Sequence, residues 1–170
     1  MWSWMAVIAL CVAPLLLAWW MRRNPMAWRG HAPADPEVVS FQMLQRVRNS
    51  GIAEPGIRVA RDQHEREQLW AAMWAHYLPG PDLPVVDWID PMIVAVGIGM
   101  RPSGSYTVEI ERLTCLGGVL TVHARETRPA PDEQITDDEA HPVHAVMAKR
   151  HDGEVRLVLE VTVRSSWKLT

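Results

Sequence analysis

The stretch GIGMRPSGSYTVEIERL, residues 97–113, joins two kinds of sequence. Before it, Met92 to Ile98 is a continuous apolar run, the pattern of a strand buried on both faces. After it, Tyr106, Val108 and Ile110 alternate with Thr107, Glu109 and Glu111, the pattern of a strand with one wet face. The glycines between them invite a phosphate-loop reading. A Walker-type loop requires Gly-Lys-Ser/Thr before a helix, so that backbone amides and a lysine meet phosphate. No lysine follows Gly104 and the next element reads as a strand, and a dinucleotide fingerprint fails for the same reason. Pro102 suits the second position of a β-turn and Gly104 the fourth, so residues 101–105 are expected to form a tight hairpin connection.

Downstream, Leu116-Gly117-Gly118-Val119 reads as a two-residue hairpin turn, since glycine adopts positive φ freely. It is expected to set Cys115 near Leu120. Leu120, Val122 and Ala124 alternate on the returning strand, and residues 127–140 are polar and proline-bearing, the mark of a long loop. Residues 143–149 form the next strand. His151-Asp152-Gly153 reads as a second hairpin turn before Val155, Leu157, Leu159, Val161 and Val163, the most regular alternation in the chain.

Upstream, residues 61–77 read as a helix. Asp62 is its cap, Glu65 completes a capping box, and Leu69, Trp70, Met73 and Tyr77 form an apolar face that reads as core. Residues 57–60 read as a short strand, and residues 38–47 fit a strand or a first helical turn. The fold class expected is α+β: one main helix packed on a mainly antiparallel sheet of about five strands.

Of the chain's 170 residues, the first 21 carry no charge. Trp2 to Met21 reads as a transmembrane helix or uncleaved signal anchor, with Trp2, Trp4, Trp19 and Trp20 placed as an interfacial belt. Residues 1–21 are thus expected to contact the membrane, 22–37 to be a proline-bearing linker, and 38–170 to form the α+β domain. Arg22 and Arg23 after the span favour a cytoplasmic domain. The net charge of −3 and the lack of a basic run exclude a nucleic-acid footprint.

The chemical motifs are incomplete. His64 has Gln68, not a second histidine, four residues on. Asp137, Asp138 and Glu139 with His141 and His144 lack a third ligand at fixed spacing, and Cys115 is not expected to reach His123. Ser103 and Ser105 have no nucleophile-elbow context. The reading is therefore of a protein that is not an enzyme, with no catalytic residue, cofactor or metal expected.

"VDWIDPMIVAVGIGMRPSGSYTVEIERL", "LTVHARETRPAP" and "HPVHAVMAKR" resemble the C-terminal domain of the PrcB-type protease complex subunit. Asp87-Trp88, the turn residues Gly99, Gly104 and Tyr106, and Pro129 and Pro142 carry the likeness. So do "SGIAEP" and Leu69-Trp70 upstream, and Ser105 stands where the family more often has glycine. The resemblance implies a non-catalytic accessory subunit assembling with a surface or periplasmic protease, and an extracytoplasmic location that opposes the Arg22-Arg23 argument. The expected interaction surface is Arg101, Pro102, Ser103, Gly104, Ser105 and Tyr106, with the loop at residues 127–140 beside it. The alternatives are a small-ligand or cell-wall-binding envelope domain, with a pocket beside Trp88 or Trp167, and a metal-dependent hydrolase using Asp137, His141 and His144.

Overall fold

The apolar run at residues 92–98 and the strand expected at residues 143–149 are neighbours with both faces covered. In the computed structural model, which describes residues 35–85, 90–135 and 137–165, they are β4 (Pro91–Gly97) and β7 (Val143–Lys149). Together with β2 (Phe41–Val47) and β3 (Gly56–Ala60) they form a central antiparallel sheet in the order β2-β7-β4-β3. A second, outer sheet has the order β1-β5-β6-β8, from β1 (Glu37–Val39), β5 (Thr107–Leu116), β6 (Val119–Arg128) and β8 (Val155–Val163).

The alternation of side chains along β4 and β7 divides the core in two. Met92, Val94 and Val96, with Val146 and Ala148, pack against Val108, Ile110, Leu113, Leu120, Val122 and Ala124 of the outer sheet. Ile93, Ala95, Ala145 and Met147 face the other way, onto Leu69 and Met73 of the helix α1 (Gln63–Met73). The central sheet is thus a shared middle layer, and that double burial is why β4 reads as an unbroken apolar run.

The fold class expected from the sequence is corrected by this arrangement. The described residues are mostly sheet, with eight strands in two four-stranded layers and one eleven-residue helix, rather than an α+β unit built on one sheet of about five strands. The expected membrane span at residues 2–21 lies outside the described residues, as do Asp87, Trp88 and Trp167. No helix among the described residues is long and apolar enough to cross a membrane. The membrane-spanning helix is therefore no part of the fold described.

Three connections also differ from expectation, each because consecutive strands belong to different layers. Residues 101–105 lead from β4 in the central sheet to β5 in the outer one, so they form a crossover between layers instead of a hairpin. Residues 151–153 likewise carry the chain from β7 to the outer sheet, where β8 lies parallel to β6. The segment at residues 38–47 is two strands: Val39 pairs with Leu113 in one sheet and Phe41 with Ala148 in the other, so the chain changes sheet at Ser40.

Local signals hold where they concern one element. Gly117 and Gly118 have φ of 58° and 79°, and Cys115 faces Leu120 across that hairpin. Asp62 caps α1 by accepting from the Glu65 amide at 2.8 Å, while the Glu65 carboxylate accepts from the Arg61 amide at 2.7 Å. The helix ends at Met73, so Tyr77 lies beyond its apolar face and is 41% exposed.

Candidate interaction surface

The crossover at residues 101–106 is anchored from beneath by a buried carboxylate. Glu126 takes the inward position on β6 that continues Leu120, Val122 and Ala124, and it is 1% exposed. The Arg101 guanidinium donates to it through two nitrogens, at 3.2 and 2.9 Å, and Arg128 donates a third bond at 2.8 Å. Burial pushes the Glu126 carboxyl up, but the bonds and charges of Arg101 and Arg128 outweigh it and hold the group below the usual glutamate range. The Arg101 backbone is held as well, exchanging two hydrogen bonds with Ala140 at 2.8 and 2.9 Å.

The rest of the turn folds inward. Ser103 is fully buried; its hydroxyl accepts from the Ser105 amide at 3.2 Å and its carbonyl from the Tyr106 amide at 3.4 Å. Gly104 lies directly under the Arg48 guanidinium, so a Cβ there would occupy the space of the arginine head group. Tyr106 is half-buried against the core between the sheets. Of the six residues expected to form the surface, Pro102 alone is exposed. A groove of about 180 Å³ runs beside the turn, between Arg46 and Arg48 on one side and Gly104 and Tyr106 on the other.

Arg164 joins this turn to the end of β8 and to the following loop. Its amide donates to the Arg128 carbonyl at 2.8 Å, and its guanidinium reaches the Ser105 carbonyl at 3.4 Å and Glu133 at 2.6 Å. The loop at residues 127–140, expected beside the turn, meets it directly at Arg101–Ala140 and through Arg164, which bridges Ser105 and Glu133.

Residues 92–149 match the family described as PrcB C-terminal.

The matched segment runs from β4 through β7, so it holds the two inner strands of the central sheet, the β5–β6 hairpin and the anchored turn. No curated protein matches the chain. No solved structure does either.

The other candidates in the matched segment and its surroundings are dispersed. His144 is 2% exposed and faces the outer sheet, where its Nδ1 accepts from the Ile110 amide at 2.7 Å. Burial foremost, then the nearby Arg46 charge, against an opposing pull from Glu109, sets its pKa at about 4. His141 instead lies at 3.2 Å from the Asn49 side chain, and Asp138 pairs with Arg48 at 3.6 Å. Asp137 is exposed, and no group of three metal-ligating side chains gathers among the described residues. His123 meets Thr114 at 3.0 Å, not Cys115, and His64 meets Gln68 at 2.9 Å on the exposed helix surface.

Sequence reasoning missed Glu126 and the cross-sheet role of His144. The signal for Glu126 was present: it falls on the inward period of β6, where a charge needs partners, and Arg128 lies two residues on. His144 carried no such signal, because its acceptor role depends on Ile110, which is distant in sequence.

Proposed function

We propose that this chain is a non-enzymatic protein-docking domain, an accessory subunit of an envelope complex of the protease type, acting outside the cytoplasm. The observation that carries this reading is the PrcB C-terminal match over residues 92–149, which includes the turn at residues 101–106. The turn is rigidly tied down by Arg101–Glu126 and offers Pro102 outward, with Arg46, Arg48 and Arg164 around it. A prefixed loop loses little conformational freedom when a partner docks, and its rim is mixed in charge, since Arg46, Arg48 and Arg164 are each paired with a carboxylate, Glu109, Asp138 and Glu133. The partner in this reading is a protease or a subunit held with one.

A photo-crosslinking amino acid at Pro102 of the full chain, expressed in its own cells, tests it. The expected adduct joins the chain to a protease-complex subunit, and removing the chain lowers that protease's assembly or activity. Adducts confined to proteins of the cytoplasm, or hydrolysis of a substrate by the purified chain itself, would overturn it.

A second reading, a small-ligand or cell-wall-binding domain, is favoured by one feature. Trp70, Trp74 and Tyr77 line a groove of about 340 Å³ after the helix, with the Trp74 and Tyr77 rings edge to face at 5.3 Å. Such faces stack on sugar rings. Saturable binding of soluble cell-wall fragments that is lost in Trp74→Ala would establish this reading over the first.

A further inference from the structure

We propose that β8 is a homodimer interface, pairing edge to edge and antiparallel with β8 of a second copy about a two-fold axis at Val158. This does not depend on the protease reading, because it rests on β8 alone.

β8 is the last strand of the outer sheet, hydrogen-bonded to β6 on one side, and among the described residues no strand pairs with its other side. Edge strands in monomeric proteins are usually short, bulged or guarded by lysine or proline. This one has nine residues, an unbroken register with β6, and neither lysine nor proline. Its apolar side chains are also left open: Val158 is 49% exposed, Leu159 38%, Val161 48% and Val163 59%. The row of unpaired backbone groups and the row of uncovered apolar side chains therefore lie on the same strand.

The sequence of that strand selects the occupant. Val155-Arg156-Leu157-Val158-Leu159-Glu160-Val161 reads the same in both directions, except that arginine and glutamate exchange places. Paired antiparallel about Val158, Arg156 of each copy faces Glu160 of the other. Leu157 faces Leu159, Val155 faces Val161, and Val158 faces itself. Opposed residues of an antiparallel pair project from the same face, so the charged pairs share the outer face and the leucines the inner one.

Sliding the axis by one residue destroys this match. Centred on Leu157, Glu154 would oppose Glu160; centred on Leu159, Val158 would oppose Glu160 and Arg156 would oppose Thr162. The outer face is ready for the pairing: Glu160 already has Arg125 of β6 at 3.4 Å on the side away from the open edge, and Arg156 has Glu154, just before the strand, at 2.6 Å. The dimer would extend these into one alternating row of charges across the new strand pair, making an eight-stranded sheet.

The test uses the full chain in a mild nonionic detergent, which keeps the apolar residues 2–21 in solution, with Cys11 and Cys115 changed to serine. Val158→Cys sits opposite itself at the axis, about 4.5–5.5 Å between Cα atoms, within disulfide reach. Mild oxidation is expected to convert it to a covalent dimer of twice the 19.2 kDa chain. Val38→Cys on the far edge strand, 67% exposed in the present side chain, should not convert. Light scattering is expected to show that Glu160→Arg weakens the dimer about tenfold or more by setting like charges opposite each other. Adding Arg156→Glu to it should restore the dimer, which separates the pairing from any loss of fold. A monomer throughout the micromolar range, equal crosslinking at both cysteines, or a dimer indifferent to Glu160→Arg would overturn the proposal. A strand from another protein, or the chain's own tail, on this edge would give the first of these results.

Discussion

Glu126 and His144 are the two polar side chains on which the interior depends most, and they respond to acid in different ranges. Glu126 is held ionised by Arg101 and Arg128. Removing Arg101 leaves a buried carboxylate with one partner, and Arg101→Ala is expected to cost about 2–3 kcal/mol. Glu126→Gln keeps the shape and leaves two arginines that reach water, so about 1–2 kcal/mol is expected. Urea unfolding decides between them; a glutamine variant less stable than the alanine one would mean that the carboxylate, not its burial, sets the cost.

His144 is buried neutral, with its folded pKa at about 4, below the ordinary 6.5. The unfolded chain therefore takes up the proton first. The contribution of the neutral ring is complete above pH 6.5 and is lost as pH falls from there to about 4, amounting to about 3 kcal/mol. His144→Gln, which can still accept from the Ile110 amide, should flatten the pH dependence of unfolding in that window by about one proton. An unchanged slope would place the proton uptake elsewhere. Glu126 acts lower: its stabilisation is present above the usual glutamate pKa of 4.5 and is lost as pH falls through its depressed folded value.

At the scale of elements, the β5–β6 hairpin and β8 contrast. The hairpin closes on Gly117 and Gly118, both at positive φ with open space where a Cβ would stand. The cost of a side chain there is therefore backbone strain alone. Gly118→Val should lower stability by about 1–2 kcal/mol, read as a drop in thermal midpoint, without changing the fold. A drop near that of a core truncation would mean that the turn nucleates more than its own hairpin. In β8 the strand forms but its inner face outruns the sheet beneath it: Val155 and Leu157 pack on the core, while Leu159, Val161 and Val163 stay open. Regular alternation marked a strand there; what it pairs with depends on neighbours that alternation does not encode.

Across the whole molecule, the central sheet ties the layers together. Its strands present one set of side chains to the outer sheet and the other to α1. Loosening either face should weaken both, so the domain is expected to unfold in one transition. Met92, fully buried between the sheets, tests this. Met92→Ala should cost about 2–5 kcal/mol and leave a single calorimetric transition at lower temperature. Two separate transitions would show that α1 and the central sheet are less coupled than their packing implies.

What can be read from the sequence is local: the apolar run at residues 92–98 as a doubly buried strand, the alternating strands, the Gly117-Gly118 turn with its register, and the Asp62 cap. Each rests on side chains within a few residues of one another, where periodicity and φ preference act directly. The tertiary structure alone decided which layer each strand joined, and so turned one expected sheet into two, made crossovers of the connections at residues 101–105 and 151–153, and set β8 parallel to β6. It also drew Arg101 to Glu126, 25 residues apart, and His144 to the Ile110 amide, 34 apart. The physical reason is that periodicity states which face of a strand avoids water, but not what covers it. Two strands with the same pattern satisfy that demand equally in one sheet or in two facing sheets, and the choice falls to the packing of the whole chain.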